Sequence, residues 1–261
     1  MTKKRVVLID GDVYIFRAAL SAEHAVEWTE DLWTLHANMS DAISYFENSI
    51  SEIKEELEAD DVIIALSDKT NFRYSILPTY KSNRKDKRPP LLRARLKEWV
   101  QVAYNTYMRP QLEGDDVLGI LATSKVIVKN AEKVVVSIDK DMKTIPCTYY
   151  NTDKKEFKVT TECEADYNHL IQTLTGDAAD GYSGCPGVGP KTAEKLLVDM
   201  DCYNHDNKPF SHWWDVVVKA YEKAGLTEED ALTQARVARI CRNSDYDFKR
   251  REVIPWTPQT E

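Results

Sequence analysis

The sequence predicts an α/β protein: a central, mostly parallel sheet flanked by helices. Three observations predict it. Short apolar runs recur at 5–9, 61–66 and 133–138. Each ends in polar or acidic residues: Asp10-Gly11-Asp12, Ser67-Asp68 and Asp139-Lys140-Asp141. Longer stretches with helical spacing lie between them, the alternation that βαβ units require.

Residues 5–9 read as a buried strand. Residues 18–57 lack glycine and are rich in acids and aromatics, which predicts mostly helix. Residues 61–66 form the second strand. The segment 79–88 is polar and basic, and Pro89-Pro90 forbids helix across that point. Helical spacing resumes over 91–104. Glu113-Gly114-Asp115-Asp116 opens a helix over 117–128, its acids at the positive end of the helix dipole. Residues 133–138 form the third strand. From Glu164 onward the chain reads as mostly helical, interrupted by a glycine-rich loop over 181–189. The division expected is an α/β core over 1–163 and a helical region over 164–261.

With 261 residues, 43% hydrophobic and 30% charged, the chain suits a sizeable folded core rather than bulk disorder. Its mean hydropathy is −0.49, and no apolar run approaches the ~20 residues of a membrane span. The five cysteines show no CxxC spacing, which predicts reduced thiols in a cytoplasmic setting. The five histidines are too scattered for a histidine-rich metal site. The net charge of −8 is unevenly spread. Residues 80–98 hold eight Lys and Arg against two acids, a local +6 that leaves −14 for the rest. That asymmetry predicts a basic element beside an acidic site.

Carboxylates follow all three strands: Asp10, Asp68, Asp139 and Asp141. Parallel strands open their C-terminal ends onto one crevice. Period-2 geometry puts Asp139 and Asp141 on one side if the strand continues that far. Glu113, Asp115 and Asp116 crowd a helix start, and Asp177 and Asp180 repeat an i, i+3 step. Nine unneutralised acids together would repel, and some would be forced to protonate. Hard divalent cations relieve this, and oxygen-only ligands select Mg²⁺, with Mn²⁺ able to substitute. A lone Asp after a strand is more often a helix cap. For Asp12, capping or support stands level with ligation.

The run Tyr80-Lys81-Ser82-Asn83-Arg84-Lys85-Asp86-Lys87-Arg88 suits a single nucleic-acid strand, with phosphates on Lys and Arg and bases stacked on Tyr80. A solvated charged loop is the commoner meaning of such a run. In Gly187-Val188-Gly189-Pro190-Lys191-Thr192-Ala193 the glycines allow a tight turn and Pro190 suits a first helical position. Backbone N–H groups and Lys191 would meet a phosphate there without reading sequence.

These motifs resemble the flap endonuclease superfamily of 5′-nucleases, above all the 5′→3′ exonucleases of T7-like bacteriophages. Leu8-Ile9-Asp10-Gly11-Asp12, Asp68, Tyr80–Arg84, Leu112–Asp116, Ser137–Lys143, Gly176–Gly181 and Gly187–Ala193 stand in the family's order. The resemblance implies a PIN-like 5′-nuclease fold, a helical arch over 79–104, and a helix-hairpin-helix over 174–198. It implies a first metal site of Asp10, Asp68, Glu113, Asp115 and Asp116, and a second of Asp139, Asp141, Asp177 and Asp180. It gives Lys81, Arg84, Asp116 and Asp139 catalytic roles. It makes Tyr80, Lys81, Arg84, Gly187, Gly189, Lys191 and Thr192 DNA contacts, with K⁺ at the hairpin in family members and Arg17 near a phosphate.

The implied activity is two-metal hydrolysis of DNA, and of RNA in RNA–DNA hybrids, at a 5′ end, nick or flap, leaving 5′-phosphate and 3′-hydroxyl. One metal orients and deprotonates the attacking water, and the other stabilises the leaving oxygen. A monomer in the cytoplasm (the host's, if phage-encoded), with roles in replication, recombination and primer removal, completes the expectation. Two alternatives remain: a haloacid-dehalogenase-like phosphatase using Asp10 and Asp12, and a non-catalytic structure-specific DNA binder.

Overall fold

A computed structural model describes residues 3–84, 87–198 and 210–258. Strand β1 (Lys4–Asp10) leads into helix α1 (Gly11–Ser21) and then a hairpin, β2 (Glu23–Thr29) and β3 (Leu32–Ala37). Helix α2 (Met39–Glu56), strand β4 (Asp61–Ala65), the single turn α3 (Arg73–Ile76), helix α4 (Arg93–Ala103) and strand β5 (Thr106–Tyr107) follow. Helix α5 (Gly114–Thr123) then leads to β6 (Ala131–Val136) and the paired strands β7 (Cys147–Asn151) and β8 (Glu156–Thr160). The remaining helices are α6 (Glu162–Thr175), α7 (Pro190–Leu196), α8 (Phe210–Lys223) and α9 (Glu228–Ala238). A last short pair, β9 (Tyr246–Asp247) and β10 (Glu252–Val253), closes the fold.

The sheet runs β5-β4-β1-β6-β7-β8 and is parallel except for the edge strand β8. β1 is central because Val6–Ile9 are apolar on both faces, as a strand covered by helices on both sides must be. The chain runs from β1 to β4 and β5 on one side, then crosses back to β6 on the other. That reversal places the crevice at the carboxyl ends of β1 and β6. One face is covered by α1, α2 and α4 through Ile15, Ala18, Phe46, Ile50, Leu96 and Val100. The other is covered by α5 through Val117, Leu118, Ile120 and Leu121. A third core, around Trp213, Val217 and Tyr221, holds the C-terminal helices together.

Two sequence expectations need correction, and one pair of strands went unread. Residues 18–57 are not continuous helix: β2 and β3 interrupt them, with Trp28, Leu32 and Trp33 exposed. Turn-flanked Trp, Thr and Val overrode the absence of glycine. The strands β7 and β8 went unread, although Thr148-Tyr149-Tyr150 and Phe157-Lys158-Val159 flank a polar turn. In the segment 79–104 no helix crosses Pro89-Pro90, as the two prolines predict. Its described part holds a 3₁₀ turn at Ser82–Arg84 and the separate α4, divided by Pro89-Pro90; Lys85 and Asp86 lie outside the described residues. Among the thiols, Cys147, Cys185 and Cys241 are free, whereas Cys163 is disulfide-bonded, against the expectation of reduced thiols throughout.

Gly119 lets α5 lie against the C-terminal segment: a Cβ there would fall 2.3 Å from the Cys241 carbonyl oxygen. Gly119→Ala should therefore lower stability by ~1–3 kcal/mol despite alanine's better helix propensity. Urea denaturation measures it, and a stabilised variant would contradict this packing.

Candidate active site

The cleft, about 630 Å³, lies at the strand ends and is lined by Asp10, Asp12, Glu113, Asp115, Asp139, Asp141, Asp177 and Asp180. Asp10 ends β1 and caps α1: one oxygen accepts from the Val13 N–H (3.3 Å), the other from the Ser137 hydroxyl (3.0 Å). Cap and cleft roles thus coincide. Gly11 is required behind it, because a Cβ would sit 2.4 Å from Ile64 Cγ2 and 2.7 Å from the Ala65 carbonyl.

Asp139 and Asp141 meet through a turn rather than through strand alternation. β6 stops at Val136, and Asp139 caps the 3₁₀ turn Lys140–Thr144 by accepting from the Asp141 N–H (2.8 Å). Asp141 also accepts from Gln172 of α6. Asp177 and Asp180 sit in a tight turn closed by the Asp177–Tyr182 bridge. Gly181, at φ +76°, lets that turn approach the segment carrying Lys81, whose N–H donates to the Asp180 carbonyl (2.7 Å).

Several acids already hold cations. Lys81 Nζ stands 2.6 Å from Glu113 and 3.5 Å from Asp180. Arg84 reaches Asp180 at 2.5 Å, Lys140 reaches Asp177 at 3.0 Å, and Lys97 of α4 reaches Asp12 at 3.2 Å. The Tyr80 hydroxyl donates to Glu113 (2.8 Å) and Asp180 (3.1 Å), joining acids assigned to different metal sites. Thus the expected repulsion is partly met by the protein's own cations. Among the described residues, no three His, Cys, Asp or Glu stand together in ready metal-holding geometry.

Asp10, Asp115, Asp139 and Asp141 differ: no described Lys or Arg lies within ion-pair distance of them. Burial, then the charge of Asp12, pushes the Asp10 carboxyl up to about 7. Burial, then Asp10 and Asp139, raises Asp115 well above the carboxylate range. Burial and Asp139 push Asp141 up to about 6. Carboxylates such as Asp10, Asp115 and Asp141, which burial and then mutual repulsion force toward protonation without an internal cation, fit hard divalent cations.

Asp116 is placed differently. It is fully buried and bidentate with Arg73 (2.7 and 2.8 Å), and it accepts from the N–H groups of Glu113 (3.0 Å) and Cys241 (3.0 Å). Burial would raise its carboxyl, but Arg73 together with the Cys241 and Glu113 N–H groups holds it low. Asp116, expected among the metal-binding and catalytic acids, thus has both of its oxygens engaged by Arg73 and backbone N–H groups. Asp68 does not line the cleft either; it accepts from Thr70 and the Gln111 N–H. Tyr80, expected as a stacking platform, is 3% exposed, packed near Tyr182 and Val237 with Lys81 4.9 Å from its ring centroid. Lys81 and Arg84 do line the cleft, as does Arg17, which is paired with Asp153 at 2.7 Å. Gly187, Gly189, Lys191 and Thr192 stand exposed away from it: Gly187 has φ +77° and Gly189 caps α7 with Pro190 at its first position.

Sequence reasoning missed Arg73, Lys97 and Ser137. Arg73 had one available signal: an arginine between a strand end and a basic run, facing a triplet of acids at 113–116.

Acids past parallel strands, with lysine and arginine at the rim, define a phosphodiester-handling site. Residues 5–168 match the family model described as 5′-3′ exonuclease, N-terminal resolvase-like domain. The chain is 30% identical to an exodeoxyribonuclease of Enterobacteria phage T3 and 31% identical to an exonuclease of Escherichia phage T7, in each case over 98% of this chain and 94% of that protein. It therefore belongs to the 5′-3′ exonuclease family. A solved structure of a T5 5′-exonuclease mutant shares the fold, with TM-score 0.55 at 15% identity over 90% of this chain and 93% of that one. A T5 D15 flap endonuclease complex with DNA and metal ions gives 0.57 at 14% over the same shares.

The raised acids set a pH dependence. With divalent cations chelated, folded Asp10 keeps its proton to about pH 7 and Asp141 to about pH 6. The unfolded chain releases both near pH ~4. The folded state then binds more protons across that window, so stability falls as pH rises from ~4 to ~7. Asp116, Glu113 and Asp177, whose carboxyls are lowered, act oppositely, losing stability only as pH falls below ~4. Urea denaturation in chelator at pH 5 and 7.5 should find the protein weaker at 7.5. Asp10→Asn should remove much of that difference; a wild-type stability that rises over the window would contradict the assignment.

Proposed function

We propose that the protein is a structure-dependent, sequence-independent 5′→3′ exonuclease and flap endonuclease. It acts on DNA with a 5′ end, nick or flap, and on RNA in RNA–DNA hybrids. The observation that carries this reading is the group Asp10, Asp115 and Asp141, raised by burial and mutual repulsion, with Asp139 among them and Lys81 and Arg84 beside them in one cleft.

Asp10, Asp115 and Asp139, with Asp141, Glu113, Asp177 and Asp180 around them, would hold Mg²⁺ or Mn²⁺. When bound, such cations supply a readily deprotonated water and electrostatic stabilisation of the developing charge on the phosphate and leaving oxygen. Lys81 and Arg84, now on Glu113 and Asp180, would exchange those carboxylates for the scissile phosphate. Tyr80 would keep Glu113 and Asp180 aimed while that exchange occurs. The products would be a 5′-phosphate and a 3′-hydroxyl. Gly187, Gly189, Lys191 and Thr192 would hold the duplex backbone, with K⁺ at that hairpin. The protein would act as a monomer, without a membrane, in the cytoplasm where phage DNA replicates.

The phosphatase alternative loses support at Asp12. Its carboxylate accepts from the Ser67 N–H (2.7 Å) and Lys97 (3.2 Å), so it is not a free acid beside Asp10.

The test is a product ladder from 5′-labelled blunt, nicked, flapped and hybrid substrates in Mg²⁺. Asp139→Asn should lose cleavage by at least ~10²-fold while retaining gel-shift binding. Lys191→Ala should flatten the slope of log K against log salt by about 0.9 on any duplex sequence. Near-normal turnover of Asp139→Asn in Mg²⁺ would remove Asp139 from the ligand set.

A further inference from the structure

The β9–β10 turn carries Phe248-Lys249-Arg250-Arg251, four consecutive exposed residues, on a chain of net charge −8. The turn is built rigidly. Tyr246 is buried at its root and pairs with Val253; the Arg251 N–H donates to the Asp247 carbonyl (2.7 Å), and the Ile254 N–H to the Asp245 carbonyl (3.0 Å). Asp245 is itself held by Arg239 at 2.8 Å. Two acids, Asp247 and Glu252, pair at the root of the turn, and the three cations stand at its exposed tip. Arg250 makes only a marginal 3.9 Å pair with Asp247, and no ion pair of Lys249 or Arg251 occurs among the described residues.

The position matters. The Tyr246 hydroxyl donates to the Pro110 carbonyl (3.5 Å), and its ring lies in the field of Arg109, Arg251, Tyr107 and Asp68. Tyr107 ends β5 and Asp68 follows β4, so the turn stands at the end of the sheet that carries the acidic cleft. Arg109 adds a fourth cation, stacked 3.9 Å from the Tyr107 ring centroid. Single-strand sites need free aromatic faces for bases to stack on. The aromatics here are engaged: Phe248 meets Tyr246 edge-on at 5.2 Å, Tyr246 is buried, and Tyr107 is covered by Arg109.

We propose that Lys249, Arg250 and Arg251, with Arg109 beside them, form a second contact with the sugar–phosphate backbone of duplex nucleic acid, separate from the loop at 187–193. This rests on the nuclease reading and extends it: the duplex is held at a second place on the surface as well as by the loop at 187–193. A rigid row of cations positions a duplex without reading bases.

The test compares wild type with the triple variant Lys249→Ala, Arg250→Ala, Arg251→Ala. Truncation leaves the turn intact, because Asp247 accepts from the backbone N–H groups of Lys249 and Arg250. Binding to a labelled 5′-flap duplex and to a single strand is titrated in chelator across a range of KCl. Each lost phosphate contact removes about 0.9 from the salt slope, so the duplex slope should fall by about 2.7 with single-strand binding unchanged. An unchanged duplex slope would overturn the proposal and leave the turn to an acidic protein or another anionic surface. Equal losses on duplex and single strand would also overturn it. Wild type that binds the flap duplex but never cleaves it in Mg²⁺ would sink the nuclease reading alone, since the slope comparison is made without turnover.

Discussion

The site depends on one buried ion pair, Arg73 with Asp116. The Arg73 guanidinium also donates to the carbonyls of Val237 (2.8 Å) and Arg239 (2.6 Å) and approaches Glu113 (3.4 Å). Asp116 in turn accepts from the Cys241 N–H, so the start of α5, the turn α3 and the segment after α9 share one polar knot. Both charges are out of water, which is tolerable only because every strong donor and acceptor is matched. Removing either partner would strand the other, a change that costs about 3–5 kcal/mol in buried pairs. The knot fixes the first turn of α5, and with it the direction of Asp115 and Glu113.

Around this knot the remaining charges are held less firmly. Glu113, Asp180 and Asp177 are satisfied by Lys81, Arg84 and Lys140, side chains on loops at the cleft rim. These pairs are more exposed than the Arg73–Asp116 pair, which suits them to the proposed exchange with phosphate and divalent cations. Asp10, Asp115 and Asp139 have no such internal partner. Burial, which disfavours the charged forms of Asp10 and Asp115, makes this corner of the cleft the strongest local demand for added positive charge. The protein stores this demand as electrostatic strain, held in place by the knot and by the Ser137 and Val13 bonds to Asp10.

Much of this was legible in the sequence. The apolar runs at 5–9, 61–66 and 133–138 are strands because parallel strands, buried on both faces, need such runs, and the acids after two of them converge because parallel strands end together. What the sequence hid was pairing. Asp115 and Asp116 are adjacent and chemically identical, yet one lines the cleft and the other faces the interior. Helix rotation by ~100° per residue separates them, and only the partner at Arg73 decides which faces in. Tyr80 looked like a free aromatic in a polar run, but long-range packing on Tyr182 and Val237 buries it. The hairpin β2–β3 escaped because a solvent-exposed strand pair has no alternation of buried and exposed residues to read; its pattern is exposed almost throughout.

The two neighbouring aspartates divide the labour between cleft and interior, and thermal melts of Asp115→Asn and Asp116→Asn in chelator and in Mn²⁺ test this directly. Asp115→Asn relieves repulsion, so it should melt above wild type in chelator and gain little from Mn²⁺. Asp116→Asn breaks the knot, so it should melt well below wild type in chelator yet still be stabilised by Mn²⁺. If Asp116→Asn melts like wild type and loses the Mn²⁺ response while Asp115→Asn keeps it, the roles are reversed and the account is wrong.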